Sequence, residues 1–233
     1  MSQPINIQTE SGEFTAYIAK PAADLTPTVI VLHELFGVNE DIRLTSRELA
    51  AKGFIAIAPE LYWRQERGVD LDTSSESDWQ KGLQLYAGYN RDAGVRDIVA
   101  TMRAARKLEG ASGKVAVLGY CLGGLMTFLT AARHHPDATV AYHGGDTEKY
   151  VREAKGISTP LLMHLAEDDE FISKDAQAEI KSALAEVTGA TVFSYPNCHH
   201  AFSRHYGRHY DAQAAALARE RTDAFLWQYL TPP

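Results

Sequence analysis

The sequence predicts an α/β protein, with a mostly parallel sheet of about eight strands covered by helices on both faces. Two observations lead to this prediction. Short apolar runs of strand length recur along the 233 residues, and after the first hairpin they alternate with amphipathic stretches of helical length. A hydrophobic content of 45% and a charged content of 23% are ordinary for a globular domain. No repeat, low-complexity segment or linker interrupts the chain, so a single domain over residues 1–233 is expected.

The first half of the chain shows the alternation after an initial hairpin, in which SGE supplies the turn. The next helix begins near Asn39 and ends before Gly53, residues typical of the two ends of a helix. The predicted elements are, in order, hairpin strands at 5–10 and 14–19, a buried strand at 28–33, a helix at 40–52, a buried strand at 54–59, a long polar loop at 61–77 and a helix at 92–108.

The second half repeats the pattern of strand and helix more regularly, which predicts parallel strands. The predicted elements are, in order, a strand at 114–120, a helix at 122–135, strands at 138–144 and 160–166, a helix at 173–187, a strand at 190–196 and a helix at 211–230.

The stretch GYCLGG, residues 119–124, lies between a predicted strand and a predicted helix. It has the form of a nucleophile elbow, Gly-x-nucleophile-x-Gly, with Cys121 at the position where serine is common. A buried cysteine beside a glycine turn is also ordinary packing, so this motif alone leaves catalysis and packing about equally supported. The rest of the chain must supply the other groups that a catalytic thiol needs.

An acid and a base follow two later strands. Asp168 and Asp169 come after the strand at 160–166, and His199 and His200 come after the strand at 190–196. Open α/β sheets place their ligand crevice at the carboxyl ends of the strands, so these side chains are expected to meet Cys121 there. The chain order of nucleophile, acid and base is that of the α/β-hydrolase triad. We prefer Asp169 and His200, although spacing does not decide between the neighbours.

The chemistry of a thiol nucleophile explains why these residue types are needed together. A free thiol is only slightly ionised at neutral pH, so it requires a base or a positive field, and a helix N-terminus favours the thiolate. The histidine supplies general base and acid catalysis, and the aspartate holds its tautomer. The N–H of Leu122, with a second N–H expected from Leu35 in HELFGVN, would form the oxyanion hole.

Several other functions are disfavoured. The net charge of −7 argues against a nucleic-acid or anionic-membrane partner. No apolar run is long enough to span a bilayer, and MSQPINIQTE has no secretion signal, so a cytoplasmic protein is expected. The histidine-rich HHAFSRHYGRHY lacks metal-ligand spacing, so neither metal nor cofactor is expected, and His205 and His209 are interpreted as surface or supporting residues. Cys198 is interpreted as a structural thiol, a disulfide with Cys121 being the less favoured alternative.

Together, HELFGVN, PELYWRQ, GYCLGG, DDEF and CHHAFSR, in this order, resemble the dienelactone hydrolase (carboxymethylenebutenolidase) family, of α/β-hydrolase fold, over nearly the whole chain. The resemblance implies Cys121 as nucleophile, Asp169 as triad acid and His200 as base. It also implies Glu34 as the carboxylate that takes the thiol proton, and Arg204 as the residue that binds the substrate carboxylate. The implied reaction is hydrolysis of dienelactone to maleylacetate in the breakdown of chlorinated aromatics, by an enzyme that is monomeric in the family precedent and takes only a small-molecule substrate.

One position departs from the family pattern. Better-known members have a second arginine where an ungapped count places Trp79. The carboxylate clamp is therefore half missing, and Trp79 would present an apolar wall instead. Arg67 or Lys81 is a candidate to supply the second charge. This departure keeps a second function open, a broader carboxylesterase or thioesterase on a less charged substrate. A third alternative, a binding protein that retains only the fold, is disfavoured because nucleophile, acid and base are all present.

Overall fold

A computed structural model describes residues 4–231 of the chain. Within them, eight strands form one sheet in the order β1-β2-β4-β3-β5-β6-β7-β8. Parallel pairing joins β3 to β4, β6 to β7 and β7 to β8, whereas β2 pairs antiparallel with β1 and β4. The predicted α/β architecture with a mostly parallel, eight-stranded sheet is confirmed. The chain divides into two compact units, the first ending at Val117 and the second beginning at Leu118, and each is described by itself. The expectation of a single domain stays a prediction.

The first unit begins with the predicted hairpin, in which Ile7 pairs with Phe14, both buried. Helix α1 starts where Asn39 accepts a hydrogen bond from the Ile42 N–H, and the chain leaves it through Gly53 at φ +94°. The elements of this unit are β1 (Ile5–Thr9), β2 (Gly12–Ala19), β3 (Thr26–Leu32), α1 (Glu40–Ala51), β4 (Ile55–Pro59), α2 (Glu76–Gly88), α3 (Arg91–Ala105) and most of β5 (Ala111–Tyr120).

The prediction of a loop that runs to residue 77 is wrong at its end, because α2 begins at Glu76. Ser75 caps this helix by accepting the Asp78 N–H, and few apolar residues mark its inner face, so periodicity did not reveal it. One reason is Gly82, where a Cβ atom would come within 2.9 Å of the Leu35 carbonyl oxygen. Close approach of the helix to main chain replaces the usual apolar side-chain contact there.

The second unit matches its predicted elements to within a few residues. Its strands β6 and β7 are buried at every position, as expected for parallel strands covered on both faces. The elements are α4 (Leu122–Arg133), β6 (Ala138–Tyr142), a 3₁₀ segment (Thr147–Gly156) that the sequence patterns did not reveal, β7 (Leu161–Ala166), α5 (Lys174–Ala185), β8 (Ala190–Tyr195) and α6 (Ala212–Leu230). Among residues 4–231, no helix combines the length and the apolarity needed to cross a bilayer.

Candidate active site

Cys121 lies in a sharp turn between β5 and α4, where it is the N-cap residue of the helix. Its φ of +52° and ψ of −112° are a strained conformation for a residue with a side chain. The Cys121 N–H donates to the Tyr142 carbonyl at the end of β6, over 3.1 Å, which fixes the turn. The strand-turn-helix context of a nucleophile elbow is therefore present, and the thiol lies at the positive end of the helix dipole.

Two glycines allow this turn by close approach of main chain to main chain. A Cβ atom at Gly119 would come within 2.1 Å of the Gly123 carbonyl oxygen. At Gly124 it would come within 2.4 Å of the Tyr142 carbonyl oxygen. Neither contact leaves room for a side chain, so Gly119 and Gly124 are explained by packing between α4, β5 and β6.

Asp169 and His200 are in direct contact after β7 and β8. The His200 Nδ1 atom lies 2.8 Å and 3.0 Å from the two carboxylate oxygens of Asp169, and both side chains are almost completely buried. Asp169 Oδ1 also accepts the main-chain N–H groups of Phe171 and Ile172, at 2.8 Å and 3.1 Å. These bonds hold the carboxylate in place, so it orients the imidazole through Nδ1.

Cys121 interacts with the same imidazole. Burial acts to lower the pKa of His200, but the charge of Cys121, the hydrogen bonds to Asp169 and Cys121, and the charge of Asp169 raise it above its ordinary value. A protonated His200 is thus stabilised from two sides, by the carboxylate and by a thiolate. An imidazole in such an arrangement can act as a proton acceptor.

The neighbouring acid and imidazole have other partners. Asp168 pairs with Lys174 at 3.1 Å, and both are well exposed. His199 lies 3.0 Å from Glu170, and His209 lies 3.5 Å from the same oxygen. Of the alternatives that spacing left open, only Asp169 and His200 contact each other within the described residues.

Further groups surround the imidazole of His200. The half-exposed Phe171 ring packs edge-on against it, with ring centroids 4.8 Å apart.

Cys198 is a buried free thiol in the loop after β8, two residues before His200. Its pKa is raised to about 11 by burial and by nearby carboxylates. The disulfide alternative for Cys198 and Cys121 is therefore absent from the structure, since both are free.

One residue that the sequence patterns did not single out, His143, also lies beside His200. Its ring centroid is 4.5 Å from that of His200, and the positive charge of Arg204 is close enough to act on it. His143 directly follows β6, so the strand-end rule that pointed to Asp169 and His200 could have pointed to it as well. It was missed because a histidine within ATVAYHG is also compatible with a buried strand.

Two of the remaining predicted site residues, Leu122 at the start of α4 and Arg204 after β8, lie in the second unit. The others belong to the first unit. Glu34 and Leu35 follow β3 and are buried, with exposed fractions of 4% and 7%. Trp79 is on α2, where its Nε1 donates to the Thr73 carbonyl and its ring packs edge-on against Phe36 at 5.0 Å. Their participation in one site with Cys121 stays a prediction.

The sequence model of the dienelactone hydrolase family matches residues 14–230. The chain belongs to this family. It is similar to carboxymethylenebutenolidase 1 of Cupriavidus pinatubonensis, with 33% identity over 95% of both chains. It is also similar to the carboxymethylenebutenolidase of Pseudomonas putida, with 34% identity over 97% of this chain and 96% of the other.

The fold of this dienelactone hydrolase family member is also similar to that of a solved structure. The structure comes from Klebsiella pneumoniae and carries a provisional dienelactone hydrolase name; it matches with a TM-score of 0.86 and 28% identity, covering 98% of this chain and 99% of the other. The fold class is therefore that of an α/β-hydrolase, and the chain is a carboxylic ester or lactone hydrolase, as the resemblance implied.

Proposed function

We propose that this family member hydrolyses a dienelactone-like enol lactone by nucleophilic catalysis, with Cys121 as nucleophile, His200 as base and Asp169 as the orienting acid. The observation that supports this proposal most strongly is the buried contact between Asp169 and His200, on an imidazole that also interacts with Cys121. A buried carboxylate on Nδ1 leaves the other ring nitrogen to exchange a proton with the thiol.

In the acylation step, the Cys121 sulfur bonds to the lactone carbonyl carbon and the thiol proton passes to His200. The tetrahedral intermediate then collapses with cleavage of the ring C–O bond, which releases an enolate that remains attached to the acyl group. The enolate takes up the proton held by His200, which leaves the imidazole neutral for the next step. An enol is a better leaving group than an alcohol, so such a substrate needs less activation than an amide.

We assign supporting roles to main-chain and acidic groups. The Leu122 N–H, at the start of α4, and the Leu35 N–H would donate to the oxyanion of the tetrahedral intermediate. The family resemblance implies Glu34 as an alternative acceptor of the thiol proton, in place of His200, when a substrate carboxylate arrives. Both roles require the loop after β3 to reach the turn at Cys121.

Substrate selection would depend on Arg204 and Trp79. The guanidinium of Arg204 would bind the substrate carboxylate, and a charge-assisted bond of this kind contributes about 1.5–3 kcal/mol.

The alternative function is hydrolysis of a less charged ester or thioester on the same scaffold. The observation that favours it is the tryptophan on α2 at the position of the second family arginine. A dienelactone substrate would place the enzyme in the breakdown of chlorinated aromatics.

The test measures turnover of dienelactone and of p-nitrophenyl acetate by the wild type and by the variants Cys121→Ala and Arg204→Ala. We expect Cys121→Ala to lose roughly 10⁴- to 10⁶-fold in kcat on both substrates. Arg204→Ala should lose about 10- to 100-fold in kcat/KM on dienelactone and little on the acetate. If both substrates respond equally to Arg204→Ala, the broader esterase is favoured, and hydrolysis that survives Cys121→Ala contradicts the mechanism.

A conservative variant tests whether the site is built for a thiolate. Cys121→Ser should be a poor enzyme on dienelactone, because a site arranged for a thiolate does not readily ionise a hydroxyl. The measurement is kcat at neutral pH, alongside thermal unfolding to establish that the serine variant is folded. A rate comparable to that of the wild type would refute this point.

A further inference from the structure

His143 is held rigidly at the point where β6 meets the turn of Cys121. Its main-chain φ is +35°, which few residues with side chains adopt, and its N–H donates to the His164 carbonyl over 2.8 Å. The preceding residue, Tyr142, accepts the N–H of Cys121. The imidazole of His143 is completely buried, at 0% exposure. A strained and fully buried histidine is thus fixed one residue from the strand end that supports the nucleophile.

The His143 ring meets the His200 ring edge-on. Their centroids are 4.5 Å apart with an interplanar angle of 61°, and one ring nitrogen of His143 lies within 4.8 Å of a ring nitrogen of His200. Two hydrogen bonds of ordinary length that meet at one water oxygen span about 4.7 Å. A separation within 4.8 Å is therefore compatible with a water molecule shared by the two imidazoles.

Both ring nitrogens of His143 need a partner that residues 4–231 do not supply. Neither nitrogen forms a hydrogen bond to another residue there, and His200 Nε2 likewise has no nitrogen or oxygen partner within the same range. Leaving a buried polar group without a partner is energetically costly, so such groups are nearly always satisfied by water or by a ligand. The unpartnered nitrogens of His143 belong to a ring that packs against the imidazole interacting with the proposed nucleophile.

The charges around His143 keep it neutral. Burial lowers its pKa well below the ordinary value, and the charges of His200 and Arg204 lower it further, against a small opposing contact with its own main chain. A neutral imidazole has one acceptor nitrogen and one N–H donor, whereas an imidazolium has no acceptor. His143 can therefore accept a hydrogen bond in every state of the neighbouring catalytic pair.

We propose that His143 is a positioning residue that holds the hydrolytic water beside His200 during deacylation. The inference rests on the proposed function, because it requires an acyl group on Cys121. In the bound water, one O–H would point to His200 Nε2 and the other to the acceptor nitrogen of His143. The oxygen lone pair is then directed at the acyl carbon.

The deacylation step is balanced as follows. The water oxygen bonds to the thioester carbon while its proton passes to His200. The tetrahedral intermediate collapses with cleavage of the C–S bond, so Cys121 leaves as a thiolate beside protonated His200 and the acyl group leaves as a carboxylic acid. His143 gains and loses no proton, and it contributes by orientation alone.

The experiment compares His143→Gln, which keeps a donor and an acceptor, with His143→Met, which has similar volume and neither. Rapid mixing with p-nitrophenyl acetate separates acylation, seen as a burst of p-nitrophenol, from deacylation, seen as the steady rate. For His143→Met we expect a burst near one equivalent, a steady rate about 10- to 100-fold below that of the wild type, and an acetylated Cys121 in the mass spectrum. For His143→Gln we expect a steady rate within about tenfold of the wild type.

Three outcomes would overturn the inference. They are wild-type turnover by His143→Met, equal slowing of acylation and deacylation without acetylated enzyme, and equal impairment of the Gln and Met variants. Circular dichroism and thermal unfolding show whether each variant is folded, and His143→Phe, which keeps an aromatic ring, replaces His143→Met if the latter does not fold.

The failure of this inference is distinguishable from failure of the proposed function. If the wild type and His143→Met form no acyl group on Cys121 and Cys121→Ala remains active, the nucleophile itself is wrong. If Cys121 is acylated in every variant but deacylates at the wild-type rate, only the role of His143 is wrong.

Discussion

Each unit contains a buried aspartate, Asp97 in the first and Asp169 in the second. The two carboxylates differ in whether their side-chain partner can lose its charge. In the first unit, Asp97 accepts from Trp63 Nε1 at 2.8 Å and from Arg64 at 2.7 Å and 3.1 Å. In the second, Asp169 accepts two main-chain N–H groups and the imidazole of His200. An arginine is always charged, so the first arrangement is permanent. A histidine can gain and lose a proton, so the second can take part in a reaction.

The same contrast holds for buried histidines. His33 in the first unit has both ring nitrogens occupied, by the Glu34 carbonyl at 2.6 Å and the Leu61 N–H at 3.1 Å. His200 and His143 in the second unit keep nitrogens without such partners among the described residues. Burial alone therefore does not identify a functional group. The difference is whether the protein itself satisfies all of the hydrogen-bonding capacity of that group.

The largest expected effect separates Asp169 from its neighbour. Asp169→Asn should lower kcat by about 10⁴-fold, because the amide no longer stabilises the required tautomer and charge of His200. Asp168→Asn is the matched control, and its kcat should stay within a factor of about two, since the Asp168 carboxylate is exposed and pairs with the exposed Lys174. Steady-state hydrolysis of p-nitrophenyl acetate measures both. Equal loss in the two variants would contradict the assignment of the acid.

The next largest effect concerns stability alone. Asp97→Ala should lower the free energy of unfolding by about 3 kcal/mol, because it leaves Arg64 and the buried Trp63 N–H without their acceptor. Asp70→Ala, which breaks the more exposed pair with Arg43, should cost about 1 kcal/mol or less. Urea denaturation compares the two. The comparison between the units fails if Asp97→Ala is as stable as Asp70→Ala.

A third prediction uses the occupied histidine. Burial lowers the pKa of His33 to about 4, against a smaller opposing effect of the bond to the Glu34 carbonyl. The unfolded chain then binds more protons than the folded one, so stability is lost as the pH falls from about 6.5 towards 4. His33 alone should account for a loss of about 2 kcal/mol between pH 7 and pH 5.

The matching variant is His33→Gln, which has no titrating ring. Urea denaturation at pH 7 and pH 5 should show an acid-induced loss smaller by about 2 kcal/mol in this variant than in the wild type. An unchanged loss would show that other groups, such as the buried His164, dominate the acid response.

The smallest effect is expected at the exposed pair of Lys174 and Asp168. Lys174→Ala should change the midpoint of thermal unfolding by no more than about 1–2 °C, because both side chains are well exposed and the bond is screened by solvent. Differential scanning calorimetry is the measurement. A larger shift would mean that the loop carrying Asp169 depends on this surface bond.

Most strands and helices could be predicted because their apolar periodicity is clear, as in the fully buried β6 and β7. Helix α2 was missed because Gly82 packs through main chain and supplies no apolar side chain. For the site, the order of Cys121, Asp169 and His200 along the chain indicated the chemistry that we propose. The choice of Asp169 over Asp168 could not be settled from spacing, because it depends on which carboxylate the loop turns inward.

The buried thiol of Cys198 has a practical consequence for counting competent enzyme molecules. With a pKa of about 11, only about one Cys198 in ten thousand is ionised at pH 7, so an alkylating reagent finds it nearly inert. Cys121 instead borders an imidazole that can accept its proton. Brief exposure of the native protein to iodoacetamide should therefore label a single cysteine, and the stoichiometry of labelling would report the fraction of a preparation that is intact.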